Sequence, residues 1–131
     1  MSDSGGKTRR ILVIEDEKAI CEVFMIVLKS EGFEVDIAGN GKLAEEKVKE
    51  KNYDLIIVDI RTPIMNGKEF YQSIIENKPE MSKRIIFTTG DVMEGDTVNF
   101  IRQVNKPCLA KPFTPTELRE MVREVLKKIE N

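Results

Sequence analysis

LIIVDIRTP, residues 55–63, decides how this chain is read. Leu55, Ile56, Ile57 and Val58 are apolar without alternation, the pattern of a strand covered on both faces. A carboxylate, Asp59, follows at once. An unpaired charge at the edge of a core is costly unless it is paired or titrates away. Asp59 is therefore either a turn residue that follows a strand or a group that the strand end holds for a purpose.

Working outward, comparable runs occur at ILVIED (11–16), FEVDIAG (33–39), RIIFTTG (84–90) and CLAK (108–111). Amphipathic stretches separate them. In residues 17–32, Ile20, Val23, Phe24, Val27 and Leu28 recur at helical spacing, and Gly32 suits the position just past the helix end. GKLAEEKVKEKN (41–52) predicts a polar helix with a thin apolar stripe of Leu43, Ala44 and Val48. A loop through Pro63 and Gly67 leads to a helix near 67–76, and a weaker helical pattern runs from about Asp96 to Val104. The last helix announces its start with Thr114 as N-cap, Pro115 in the first turn and Glu117 completing a capping box. Leu118, Val122, Val125, Leu126 and Ile129 then mark its buried face.

Alternating strands and helices imply βαβ units, a parallel sheet and right-handed crossovers. The expected fold is α/β, a flavodoxin-like, doubly wound (βα)5 sheet in the order 2-1-3-4-5 with helices on both faces. In such sheets ligands bind beyond the C-terminal strand ends, near the switch point between strands 1 and 3.

With 131 residues the chain predicts one domain, residues 9–131, behind a polar, flexible leader at 1–8. The net charge is −2, with both signs interspersed, so no footprint for nucleic acid or anionic membrane is expected. There is no histidine, which excludes Ser–His hydrolysis and a histidine phosphocarrier role within the chain. Cys21 and Cys108 lack metal or redox spacing and read as small buried hydrophobes of a reducing compartment. No apolar run is long enough for a membrane span and no signal peptide is visible, so a cytoplasmic location is expected.

Read in order, the predicted C-terminal strand ends carry Glu15 and Asp16, then Asp59, then Thr88 and Thr89, then Lys111. Strands 1 and 3 are expected neighbours, so Glu15, Asp16 and Asp59 should converge. Like charges so placed repel unless a cation sits among them. A solvent-open oxygen cluster suits Mg²⁺, with Mn²⁺ as a substitute. Lys111 adds a cation and Thr89 a hydroxyl. These groups together fit phosphoryl transfer, with Asp59 as the nucleophile that forms an acyl phosphate.

IEDE (14–17), VDIRTPIMNG (58–67), FTTGD (87–91) and AKPF (110–113) together resemble the receiver domain of two-component response regulators, over about residues 9–129. Around TGDVMEGDTVNFIRQVNKPCLAKPF the chain resembles receivers of hybrid histidine kinases more than those of transcription factors, and it reads as one of the stand-alone response regulators or as a receiver cut from a longer protein. It implies that Asp59 takes a phosphoryl group from the phosphohistidine of a histidine kinase or histidine phosphotransfer domain, or from acetyl phosphate, with Mg²⁺. The chain would catalyse its own phosphorylation and autodephosphorylation without being a conventional enzyme. The resemblance assigns the metal to Asp16 and Asp59, to the backbone carbonyl of Arg61 and, less directly, to Glu15. Lys111 would pair with a phosphoryl oxygen and Thr89 would turn to hydrogen-bond it. A cis peptide between Lys111 and Pro112 is implied as well. Arg61, two residues after Asp59, and Asp91, two after Thr89, should flank the pocket, either as an ion pair or with Arg61 over the phosphoryl group, restricting water and tuning the lifetime of the phosphorylated form. A downstream protein would read the helix 4, strand 5 and helix 5 face.

This sequence departs from the family pattern at Glu15, where aspartate is more usual, at Cys108, where an aromatic or histidine switch residue is common, and at Asn66. Rival readings are a receiver-like binding module that is never phosphorylated and an aspartyl-phosphate phosphatase. The phosphatase would need an acid two residues after its nucleophile, where Arg61 stands. A nucleotide-binding fold would need a glycine-rich turn where Glu15 and Asp16 stand.

Overall fold

The apolar runs form the strands of one parallel sheet in the order β2-β1-β3-β4-β5. The computed structural model describes residues 8–90 and 95–130. The strands are β1 (Arg10–Ile14), β2 (Glu34–Ala38), β3 (Leu55–Asp59), β4 (Ile85–Thr89) and β5 (Cys108–Ala110). Between and after them lie α1 (Lys18–Ser30), α2 (Gly41–Glu50), α3 (Gly67–Asn77), α4 (Gly95–Val104) and α5 (Pro115–Glu130).

Side-chain alternation splits the core in two. Leu12, Ile14, Ile56, Val58, Ile85 and Phe87 face α2, α3 and α4, where Ala44, Val48, Phe70, Ile74 and Phe100 meet them. Ile11, Val13, Leu55, Ile57, Ile86 and Leu109 face α1 and α5, against Phe24, Val27, Leu28, Leu118, Val122, Val125 and Leu126. All five residues of β3 are buried, as a central strand covered on both sides requires.

The helix ends follow local chemistry. At the end of α1, Gly32 has φ +92°, and the amides of Gly32 and Phe33 donate to the carbonyls of Lys29 and Leu28, a Schellman arrangement. Thr114 and Glu117 form the reciprocal capping box expected before α5, at 3.0 and 2.8 Å. The same device, unanticipated, opens α3, where Asn66 caps the Glu69 amide and Glu69 returns to the Asn66 amide. A 3-10 turn over Pro79–Arg84 before β4 was also not foreseen.

Two residues assigned to apolar stripes point outward instead: Val23 is 38% and Leu43 47% exposed. Each immediately precedes a buried residue, Phe24 or Ala44, and one step along a helix turns a side chain by about 100°. The sheet covers only the narrower arc centred on the second residue of each pair.

Near the base of the sheet, the buried Tyr53 hydroxyl donates to Asp36 Oδ2 at 2.7 Å, and Lys51 Nζ lies 3.2 Å from the same oxygen. Burial works against the Asp36 charge, but these two donors outweigh it and hold the carboxyl below its usual range. A depressed folded-state pKa stabilises above the unfolded value and is lost as pH falls through the folded one. Asp36→Asn is therefore expected to cost about 1–2 kcal/mol at neutral pH. It should also flatten the acid limb of stability below the ordinary aspartate value of 3.8. Denaturant titrations across pH check this, and an unchanged acid limb would count against it.

Candidate functional site

The sheet order brings separated residues to one place. Glu15 follows β1, Asp59 closes β3, Thr89 closes β4 and Lys111 follows β5. Glu15, Asp16 and Asp59 each offer an oxygen, and these lie within 4.8 Å of one another. Glu15 and Asp59 are buried while Asp16 is exposed, so the cluster opens to solvent on one side.

Lys111 Nζ stands 2.8 Å from Asp59 Oδ2 and 2.8 Å from Glu15 Oε1, with Glu17 Oε1 more distant at 3.7 Å. The second oxygen of each buried carboxylate takes a backbone amide: Arg61 N–H donates to Asp59 Oδ1 at 3.0 Å, and Glu17 N–H to Glu15 Oε2 at 3.1 Å. Asp59 thus ends a buried strand because an ammonium and an amide receive its charge there.

One lysine does not balance three carboxylates. Burial raises the Glu15 pKa; the Lys111 ammonium and the Glu17 amide oppose that, and the Asp59 charge adds to it. Burial disfavours the Lys111 charge, yet its bonds to Asp59 and Glu15 prevail and hold its pKa above the usual lysine value. An all-oxygen donor set with surplus negative charge and one exposed member fits a hard divalent cation that retains water.

The remaining residues divide. Thr89 is fully buried at the end of β4, and Arg61 is exposed beside Asp59. Asp91, and with it the expected Arg61–Asp91 pair, lies outside the described residues. Cys108 is partly buried against the core face that holds Phe87 and Phe100. Those two rings meet Tyr71 in edge-on contacts with centroids 5.2–6.1 Å apart, so the aromatic packing here comes from α3, β4 and α4 rather than β5. The Lys111–Pro112 peptide is cis.

Thr88, already read at a strand end, and several residues that the sequence did not mark also shape the site. Thr88 pairs in register with Asp59, and its buried hydroxyl has no hydrogen-bond partner among the described residues. Thr62 is buried, and its hydroxyl donates to the Met65 carbonyl at 3.1 Å. Met65 O also accepts from Gly41 N–H at 3.0 Å, and Ile60 O from Gly67 N–H at 2.9 Å. These bonds tie the loop after β3 to the starts of α2 and α3. An X-x-x-Glu cap at Asn66 was a readable signal for this; the glycine contacts, set by tertiary approach, were not.

A family model described as "Response regulator receiver domain" matches residues 11–123. The DNA-binding response regulator MtrA of Mycolicibacterium smegmatis is 31% identical over 94% of this chain and 53% of its own length. Response regulator Rre1 of Synechocystis is 31% identical over 90% of this chain and 52% of its own length. The chain thus spans about half the length of the curated relatives it matches. Among solved structures, a CheY-like receiver domain protein from Methanospirillum hungatei superposes with a TM-score of 0.84 at 28% identity, covering 95% of this chain and 98% of that one. The receiver domain of sensor histidine kinase PA1611 from Pseudomonas aeruginosa, a structure with magnesium coordinated in its active-site cleft, gives 0.82 at 27% identity, covering 92% and 99%. With its sheet order and its strand-end carboxylates, this chain belongs to the response regulator receiver domain family of two-component signalling.

Proposed function

We propose that Asp59 is the acceptor in a divalent-cation-dependent phosphoryl transfer from a protein phosphohistidine, or from a small donor such as acetyl phosphate. The observation that carries this reading is the placement of the Asp59 carboxylate, bonded to Lys111 Nζ at 2.8 Å within the Glu15, Asp16 and Asp59 cluster. An Asp59 oxygen attacks phosphorus as the P–N bond of phosphohistidine breaks. The bonding pair leaves with the imidazole nitrogen, which takes a proton, and Asp59 becomes an acyl phosphate. Water later cleaves the acyl phosphate, restoring the carboxylate and releasing inorganic phosphate.

Glu15, Asp16, Asp59 and the Arg61 carbonyl would hold Mg²⁺, or Mn²⁺ in its place, with Glu15 reaching through its longer side chain. When bound, the ion neutralises charge on the phosphoryl oxygens. Lys111 holds Asp59 oriented and supplies an ammonium to the transferred group. Thr89 turns its hydroxyl to that group, drawing the end of β4 and α4 with it, since phosphorylation adds roughly −1.5 to −2 charge and strong acceptor oxygens. A downstream protein reads the resulting change on the α4, β5 and α5 face. Receiver chemistry is what we carry over from the relatives; the DNA binding described for MtrA is not.

No helix among the described residues is long and apolar enough to cross a membrane. Intact-protein mass after incubation with acetyl phosphate and Mg²⁺ tests the central claim. A single phosphoryl adduct is expected, and none when EDTA removes the metal. An EDTA-insensitive adduct would contradict the metal assignment. No adduct from acetyl phosphate or from any phosphorylated kinase would favour the unphosphorylated binding module.

Arg61 is exposed two residues after Asp59, where its long side chain can screen the acyl phosphate from water. Arg61→Ala is expected to speed loss of the phosphoryl group severalfold with little change in folding. The decay of the adduct after donor removal measures this, and an unchanged half-life would dismiss the screen.

A further inference from the structure

Ile64 is an apolar side chain in water on a backbone that disfavours it. It is 81% exposed, has φ +68°, and sits at the centre of a γ-turn closed by Met65 N–H donating to Pro63 O at 2.7 Å. Left-handed backbone is an outlier for β-branched residues, and glycine or asparagine would occupy it with less strain. Bonds from Thr62, Gly41 and Gly67 hold the loop in this shape. Neither core packing nor turn preference accounts for an isoleucine here.

Its position offers a reason. The loop leaves β3 directly at Asp59, so Ile64 stands at the same end of the sheet as the acceptor, on the side of α2 and α3. On the α1 and α5 side, Ile20, Val23, Pro112 and Phe113 line a cleft of about 390 Å³ that reaches Lys111. The acceptor therefore lies between apolar surfaces on both faces of the sheet. Acetyl phosphate has no apolar body to use them, whereas a folded protein bearing phosphohistidine does. Strained, exposed residues held by their surroundings are characteristic of functional contacts.

We propose that Ile64 is a specificity-determining contact for the phosphoryl-donor protein, docking its side chain against an apolar patch beside the donor histidine. This rests on the reading of Asp59 as acceptor and adds no step to the transfer. Removing a side chain of this size from a docked interface is expected to lower kcat/KM for the protein donor about tenfold or more.

The test compares the full chain with Ile64→Gly, Ile64→Asn and Ile64→Val. The donors are acetyl phosphate and a panel of autophosphorylated histidine-kinase cores, of which the fastest on the unaltered chain is used. Ile64→Gly and Ile64→Asn should be slowed about tenfold with the kinase donor, stay within about twofold with acetyl phosphate, and melt at higher temperature because strain is relieved. Ile64→Val should behave as the unaltered chain with both donors. Kinase transfer within twofold for the Gly and Asn variants would overturn the proposal, as would equal losses with both donors, which would place the effect in the Asp59 pocket. If no kinase core outpaces acetyl phosphate, no protein donor uses Ile64 and the proposal also falls. If the unaltered chain takes no phosphoryl group from any donor, the acceptor reading itself fails and this inference with it.

Discussion

Asp59→Asn is expected to abolish the phosphoryl adduct completely while leaving the fold in place. The amide is nearly isosteric, and its oxygen can still accept from the Arg61 amide or the Lys111 ammonium that now bind Asp59 at 3.0 and 2.8 Å. What it lacks is a nucleophilic anion and one acceptor site. The folding change should be small, within about 1 kcal/mol, because the lost bond to Lys111 is offset by relief of the repulsion that Asp59 exerts on Glu15. The metal response separates this from simple damage. A cation that binds only the folded protein stabilises it by ~2.7 kcal/mol at a hundredfold excess over its Kd. Mg²⁺ should raise the melting temperature of the unaltered chain by several degrees and that of the variant by distinctly less. A persistent adduct in Asp59→Asn would move the acceptor elsewhere, with exposed Asp16 the first place to look.

Much of this arrangement could be read before the structure, and for a shared reason. Continuous apolar runs such as LIIVD report burial on both faces locally, and burial on both faces implies helices on both sides. Once the strand order followed, Glu15, Asp59, Thr89 and Lys111 had to meet, because they stand at ends that the sheet aligns. The Thr114 and Glu117 cap was legible because its bonds span three residues. Other features depended on distant partners. Val23 and Leu43 have helical spacing but fall outside the arc that the sheet covers. Tyr53 finds Asp36 across 17 positions of sequence. Nothing in the loop through Pro63 and Gly67 marks Ile64, whose distinction is a φ of +68° on an exposed side chain.

Gly67→Ala is expected to destabilise the protein by about 3 kcal/mol, the upper part of the range for overpacking. Helix propensity alone argues the other way, since Gly67 opens α3 and alanine is favoured over glycine inside helices by ~1 kcal/mol. Packing decides against propensity here. A Cβ at 67 would stand 2.7 Å from Ile60 Cα and 2.9 Å from Asp59 O, both backbone atoms that cannot turn aside. Relief requires the first turn of α3 to retreat from the end of β3, stretching the 2.9 Å Gly67–Ile60 bond and disturbing the Asn66 and Glu69 cap. Gly95 also opens a helix, α4, but a Cβ there meets nothing within 4 Å. Gly95→Ala should therefore be neutral or slightly stabilising, within about 0.5 kcal/mol. Denaturant midpoints for the two variants measure the contrast, and a Gly67→Ala cost below about 1 kcal/mol would show that α3 shifts easily. Acetyl phosphate labelling under native conditions gives the second readout. The atoms that Cβ would strike are the carbonyl of the proposed acceptor and the residue beside it, so the fraction of Gly67→Ala that remains folded should also accept phosphoryl groups more slowly.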